Sequence, residues 1–148
     1  MKIAVACDHG GYPLKNVVIE TIHSLNHESI DLGTHSTERV DFPDFVRKAG
    51  EEIQNGNASR GIVICGSGVG ACIAANKMKG IYGGICHDTY SAHQGVEHDN
   101  MNVLCLGGRI IGEELAKEIV ASFINAEYLN TGNYQRRFNK IKEIEEAN

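Results

Sequence analysis

Long hydrophobic runs are missing from this 148-residue chain. The first, Ile3-Ala4-Val5-Ala6, is too short for the core of a secretory signal, and none approaches the length needed to cross a membrane. A cytoplasmic protein with no membrane partner is the expectation. An excess of basic charge is missing too: the net charge is -5, which leaves no electrostatic footprint for nucleic acid. A local cluster such as Arg136-Arg137 could still bind a phosphorylated small molecule. Proline is scarce, at two residues, and with 42% hydrophobic and 22% charged residues the composition argues against long disordered segments. Cysteine is present without a pairing pattern. Cys7, Cys65, Cys72, Cys86 and Cys105 are odd in number and form neither a C-x-x-C pair nor a dense disulfide framework, so free thiols in a reducing compartment are expected. Cys7, Cys72, Cys86 and Cys105 read as small buried hydrophobes. A chain of this length folds as one domain, residues 1–148.

Five short apolar runs rich in Ile, Val and Leu read as strands: Lys2 to Cys7, Ser29 to Leu32, Gly61 to Cys65, Tyr82 to Cys86 and Val103 to Leu106. Segments with helical spacing lie between them. Leu14, Val17, Val18, Ile22 and Leu25 form a stripe after Pro13, and Phe45, Val46, Ala49 and Ile53 form another after Pro43. Val69 to Met78, Thr89 to Glu97 and Glu113 to Ile124 continue the alternation. This order predicts a three-layer α/β/α sandwich with a Rossmann-like five-stranded parallel sheet, and ligands bound beyond the carboxyl ends of the strands. A last segment, Tyr134 to Glu146, has helical spacing but follows no strand. It is an extra C-terminal helix that either closes its own domain or reaches a second subunit as an arm over about residues 130–148.

Polar and titratable residues crowd the predicted strand ends: Cys7-Asp8-His9-Gly10-Gly11, Gly33-Thr34-His35, Cys65-Gly66-Ser67-Gly68-Val69-Gly70, His87-Asp88 and Gly107-Gly108-Arg109. Among the histidines His9 stands out, whereas His35 and His87 read as hydrogen-bonded structural groups. The third strand end is the most informative. Gly66, Gly68 and Gly70 remove side chains where successive backbone N–H groups converge on a helix start, which makes a nest for an anion. Its spacing also fits the dinucleotide fingerprint G-x-G-x-x-G/A, with Asp88 about 20 residues on as a candidate ribose-binding acid. A nicotinamide-dependent oxidoreductase is therefore one reading. The other gives weight to Cys65: a thiol at a helix start lies where a thiolate is favoured, can remove a proton from carbon, and adjoins amides able to hold the resulting oxyanion. The pairs Asp8-His9, His87-Asp88 and His98-Asp99 lack the compact spacing of metal motifs, so a metal hydrolase is the weaker alternative.

At these residues the chain resembles the ribose-5-phosphate isomerase B family, which also contains galactose-6-phosphate isomerase subunits and allose-6-phosphate isomerases. The matching segments are Cys7-Asp-His-Gly-Gly11, Asp31-Leu-Gly-Thr34, Asp41-Phe-Pro-Asp44, Gly61 to Gly70, Ala74-Ala-Asn-Lys77, His98 to Val103, Gly107-Gly-Arg109 and Gln135-Arg-Arg137. The resemblance implies a homodimer or tetramer with shared sites, and aldose-ketose isomerisation of a sugar phosphate without metal or cofactor. Ribose 5-phosphate and ribulose 5-phosphate are the expected pair, with a six-carbon sugar phosphate as the alternative. It further implies Cys65 as the base, the amides of Gly66, Ser67, Gly68, Val69 and Gly70 around the enediolate, and the Ser67 hydroxyl where threonine is usual. His98 would open the sugar ring. Asp8 and His9 would contact sugar and phosphate, and Arg109 would bind phosphate together with Arg137 from the other subunit.

Three departures from the family pattern bear on the substrate. Asn133 stands where many members carry a phosphate-binding arginine, Asp99 where a sugar-binding amide is usual, and Phe42 where a tyrosine is common. A non-catalytic sugar-phosphate-binding subunit is a further reading, opposed by the presence of both Cys65 and His98.

Overall fold

The computed structural model describes all residues, 1–148. Strands β1 (Lys2–Cys7), β2 (Glu28–Asp31), β3 (Arg60–Cys65), β4 (Gly83–Ile85) and β5 (Val103–Gly107) form one parallel sheet in the order β2-β1-β3-β5-β4. Period-two alternation divides the central strands between two cores. Ile3, Val5, Ile62, Ile64, Leu104 and Leu106 face helices α1 (Tyr12–Ser24), α4 (Thr89–Asp99) and α5 (Glu113–Asn125). Ala4, Ala6, Val63, Cys65, Val103 and Cys105 face α2 (Phe42–Gln54) and the short α3 (Val69–Ala75). The three-layer sandwich expected from the alternation is therefore present.

The helices begin where local chemistry directs. Proline occupies the first turn of α1 and of α2, where a missing N–H costs nothing, and Asp88 caps α4 by accepting the Ser91 N–H at 2.6 Å. α4 ends on Asn100 in the left-handed conformation (φ 54°). α5 ends on an arginine: Arg60 donates from Nη1 to the Phe123 and Ile124 carbonyls and from Nη2 to the Ala126 carbonyl, at 2.7, 3.2 and 2.6 Å. That satisfies carbonyls left over at the helix end and sets positive charge against the negative end of the helix dipole.

Two expected elements are shorter than the sequence pattern suggests, for one shared reason. The Asn76 side chain bridges to the backbone of Gly83, donating to its carbonyl at 2.9 Å and accepting its N–H at 2.9 Å, while Tyr82 N–H turns to Asn102 Oδ1 at 2.8 Å. These side-chain bonds stop α3 at Ala75 rather than Met78 and delay β4 to Gly83 rather than Tyr82. The last helix, α6 (Gly132–Glu146), leans on its own chain. Phe138 packs edge-on against Tyr82 and Tyr128, and Glu145 accepts from Gly80 N–H and Tyr82 O–H, both at 2.7 Å. None of its residues is buried, so most of its surface is left uncovered. No helix is long and apolar enough to cross a membrane.

Replacing Arg60 by alanine should lower stability by about 1–3 kcal/mol, since three charged hydrogen bonds to the end of α5 are lost. Urea unfolding should show a reduced midpoint at an unchanged slope.

Candidate active site

β1 and β3 are neighbours whose connections leave in opposite directions along the sheet, so a crevice opens beyond their carboxyl ends. Turns after β1, β3 and β5 close on it. Asp8, at the end of β1, is buried and fixes its own turn through Oδ1, which accepts Gly10 N–H at 2.8 Å and Gly11 N–H at 3.0 Å. The β5 turn docks on the β3 turn through Gly108 N–H to the Cys65 carbonyl at 2.8 Å and Arg109 N–H to the Gly66 carbonyl at 3.0 Å. A side chain on Gly108 would stand 2.5 Å from the Gly10 carbonyl oxygen, so only glycine lets the outer turns meet.

Between them lies the nest. Gly68 adopts φ 82°, which turns its N–H back onto Cys65 Sγ at 3.1 Å. Cys65 is 5% exposed, so its sulfur meets a directed donor with little competing water. Ser67 is exposed, and its Oγ accepts Val69 N–H at 3.2 Å, leaving the hydroxyl proton free to donate. A cavity of about 390 Å³ opens above these groups, lined by Asp8, Phe42, Cys65, Gly66, Ser67, Gly70, Arg109 and Ile110. Arg109 lies over Gly66, its Nη1 3.2 Å from where a Cβ there would be. His9 is not in the lining of this cavity; its Nδ1 accepts Val40 N–H at 3.2 Å, which leaves the Nε2 proton free. Phe42, singled out in the sequence as standing where a tyrosine is common, lines the cavity, and so does Ile110, whose hydrophobic character gave no chemical signal.

His98 is not in this cavity. α4 starts beyond the carboxyl end of β4 and runs back, so His98 arrives near Val103, the first residue of β5. Cys65 is in register with Gly107 at the other end of that strand, a separation along the sheet of roughly 13 Å at 3.3 Å per residue. At the amino edge His98 has its own setting: Gln94 Nε2 and His98 Nδ1 are 2.9 Å apart, and the Tyr134 ring of α6 stacks on it with centroids 4.4 Å apart. Donation from Gln94 to Nδ1 leaves the proton on Nε2. Asp99 lines a groove here with Tyr82 and Ile141, and Asn133 and Arg137 are exposed on the first turns of α6. The candidate residues of one chain thus fall into two separate groups. Cys65, Ser67, Asp8 and Arg109 form one, and His98, Asp99, Asn133 and Arg137 lie together in the region of the other.

The same geometry bears on the rival readings. In a dinucleotide site the ribose-binding acid stands on the strand beside the glycine-rich turn, but here β5 separates β3 from β4, and Asp88 is occupied in capping α4. No three His, Cys, Asp or Glu side chains converge in a way that could hold a metal ion. His87, set aside as structural, accepts Gly107 N–H through Nε2 at 3.0 Å, and burial lowers its pKa against the opposing pull of Asp88. Cys72 departs from expectation. It is only half-buried, and a hydrogen bond from the Cys105 thiol brings its pKa down to about 6, whereas burial pushes Cys7 and Cys86 up to about 11.

The ribose/galactose isomerase family model matches residues 3–141. The chain is 41% identical to ribose-5-phosphate isomerase B of Escherichia coli, over 98% of this chain and 97% of that protein. It is 36% identical to the galactose-6-phosphate isomerase subunit LacB of Clostridium acetobutylicum, over 97% of this chain and 83% of that protein. The structure of ribose-5-phosphate isomerase B from Clostridium thermocellum superposes with a TM-score of 0.95 at 44% identity, covering 99% of both chains.

At pH 7 iodoacetamide should label Cys72 ahead of Cys7 and Cys86, because a group with a pKa of about 6 is mainly thiolate there. Peptide mapping after brief alkylation reads this directly, and the Cys72 rate should fall as the pH drops below 6.

Proposed function

The chain belongs to the ribose/galactose isomerase family, and on that premise we propose that it interconverts D-ribose 5-phosphate and D-ribulose 5-phosphate through an enediolate, without metal or cofactor. The observation that carries this reading is the buried Cys65 sulfur, 3.1 Å from the Gly68 N–H in a cavity that also holds Asp8, Ser67 and Arg109. A nearly dry sulfur beside converging amides suits a reaction in which a carbon-bound proton leaves and an oxyanion forms next to it.

In the open-chain aldose the C2 proton passes to the Cys65 thiolate. The C–H electron pair becomes the C1–C2 double bond, and the carbonyl pair moves onto O1. The amides from Gly66 to Gly70 hold the charge that develops on the oxygens, an interaction stronger in the transition state than in the bound sugar. The free Ser67 proton relays between O2 and O1. Cys65 returns its proton to C1, and the ketose results.

Asp8 holds sugar hydroxyls, while His9 and Arg109 meet the phosphate. Ring opening falls to His98, and because the sheet separates it from Cys65 within one chain, it acts on the sugar held by a second copy. Arg137, with Asp99 and Asn133, comes from the same copy. Arginine suits this role because its planar fork binds phosphate oxygens in pairs and keeps its charge. A homodimer is the smallest assembly that completes two such sites. A six-carbon sugar phosphate is the second reading, favoured by the Phe42 ring over Gly70, which gives the cavity an apolar wall without a hydroxyl.

Cys65→Ala should lower the rate of ribose 5-phosphate conversion by roughly 10²–10⁴-fold while calorimetry still detects sugar-phosphate binding. Normal turnover by this variant would remove Cys65 from the mechanism. An assay of the wild-type protein with ribose, allose and galactose phosphates, without added metal, ranks the substrates.

A further inference from the structure

We propose that His87 is a positioning residue for the isomerisation: it extends the sheet ladder beyond the end of β4 and thereby holds the oxyanion nest beneath the sugar. This rests on the isomerase reading above and adds to the site a residue that touches neither substrate nor Cys65.

β4 is the edge strand and pairs with β5 only as far as Ile85 opposite Cys105. Two residues further along β5, Gly107 is buried, and on its other side it pairs in register with Cys65. The Gly108 N–H points to β3, where it meets the Cys65 carbonyl, so the alternation of a strand sends the Gly107 N–H towards β4. No β4 carbonyl is there to receive it. The His87 imidazole fills that place, accepting the N–H through Nε2 at 3.0 Å. A buried N–H left without a partner would otherwise carry a desolvation cost, and the β5 turn could relieve it only by moving.

Such movement would reach the chemistry in two steps. Gly107 lies so close to the nest that a Cβ on it would stand 2.8 Å from both the carbonyl carbon and the carbonyl oxygen of Ser67. Gly68 is packed as tightly from the other side, with its own Cβ position 3.2 Å from Gly107 N. The Ser67–Gly68 peptide therefore rests on Gly107, and the Gly68 N–H is the donor to Cys65 Sγ. His87 thus governs the direction of the amides that face the Cys65 sulfur and, in the proposed reaction, the enediolate. Arg109 has a second tie, its own N–H to the Gly66 carbonyl, so phosphate binding depends on His87 less than the nest does.

The test compares His87→Ala, His87→Asn and His87→Gln in the full-length chain. The glutamine oxygen reaches the position of Nε2, whereas the asparagine oxygen falls short of it. Alanine and asparagine should lower kcat for ribose 5-phosphate about tenfold or more with KM within about twofold, and glutamine should keep kcat within about threefold of wild type. If the alanine protein fails to fold, the asparagine and glutamine pair carries the comparison. Wild-type kcat in the asparagine variant, a glutamine variant as slow as asparagine, or a loss confined to KM would each overturn the proposal. Amide exchange read by NMR needs no substrate: Gly107 should be protected in wild type and His87→Gln and exchange faster in His87→Asn. Equal protection in all three would contradict the hydrogen bond, whereas the expected pattern in a wild-type protein inert towards ribose 5-phosphate would overturn only the isomerase reading on which the kinetic arm rests.

Discussion

The close approach of three backbone turns at the carboxyl edge of β1, β3 and β5 is the constraint on which the rest of the site depends. The β5 turn is docked on the β3 turn by two backbone hydrogen bonds, and Gly108 touches the β1 turn where a side chain would collide with the Gly10 carbonyl. Asp8 stiffens the β1 turn from below by accepting two of its N–H groups. Within that frame Gly68 takes the left-handed conformation, which turns its N–H onto the Cys65 sulfur. The directed donor is a product of backbone packing, so it needs no reorganisation when charge appears.

A second constraint follows from the length of the strands. A helix that leaves one end of a parallel sheet must return to the other before the next strand begins, and the residues of its last turn are carried away from the site its first turn approaches. α4 does this to His98, and α6 packs on the same edge, stacking Tyr134 on the imidazole and leaving Arg137 exposed one turn further on. The chain belongs to a family of sugar isomerases, and its fold separates the groups assigned to proton transfer from those assigned to ring opening. In the proposed dimer, association of two copies brings these groups together, and the uncovered surface of α6 is part of what association would use.

Much of this was legible in the sequence, and what was not has identifiable causes. β1 was readable to the residue from its apolar run, and β3 to within one, because strands buried on both faces announce themselves by continuous Ile, Val and Ala. The nest was legible in Gly66, Gly68 and Gly70. The ends of α3 and β4 were not, since two asparagine side chains, Asn76 and Asn102, take up backbone groups there. The sheet order was equally hidden: nothing local to β4 or β5 says that the later strand inserts beside β3, yet this insertion moves Asp88 away from the glycine turn and removes the dinucleotide reading. The position of His98 relative to Cys65 also depends on that order. Cys72 looked like its buried neighbours because its character comes from contacts with Cys105, Ile85 and Asn76, which are distant or unremarkable in the sequence.

Subunit complementation tests the shared site most directly. Cys65→Ala and His98→Ala proteins, each inactive alone, are unfolded together at equal concentration and refolded, and conversion of ribose 5-phosphate is then measured. If each site takes Cys65 from one copy and His98 from the other, half of the dimers are mixed and each has one intact site, so activity should return to about a quarter of the wild-type value. If both residues serve the same subunit, every site in the mixture carries a defect, and the absence of any recovery would contradict the shared site.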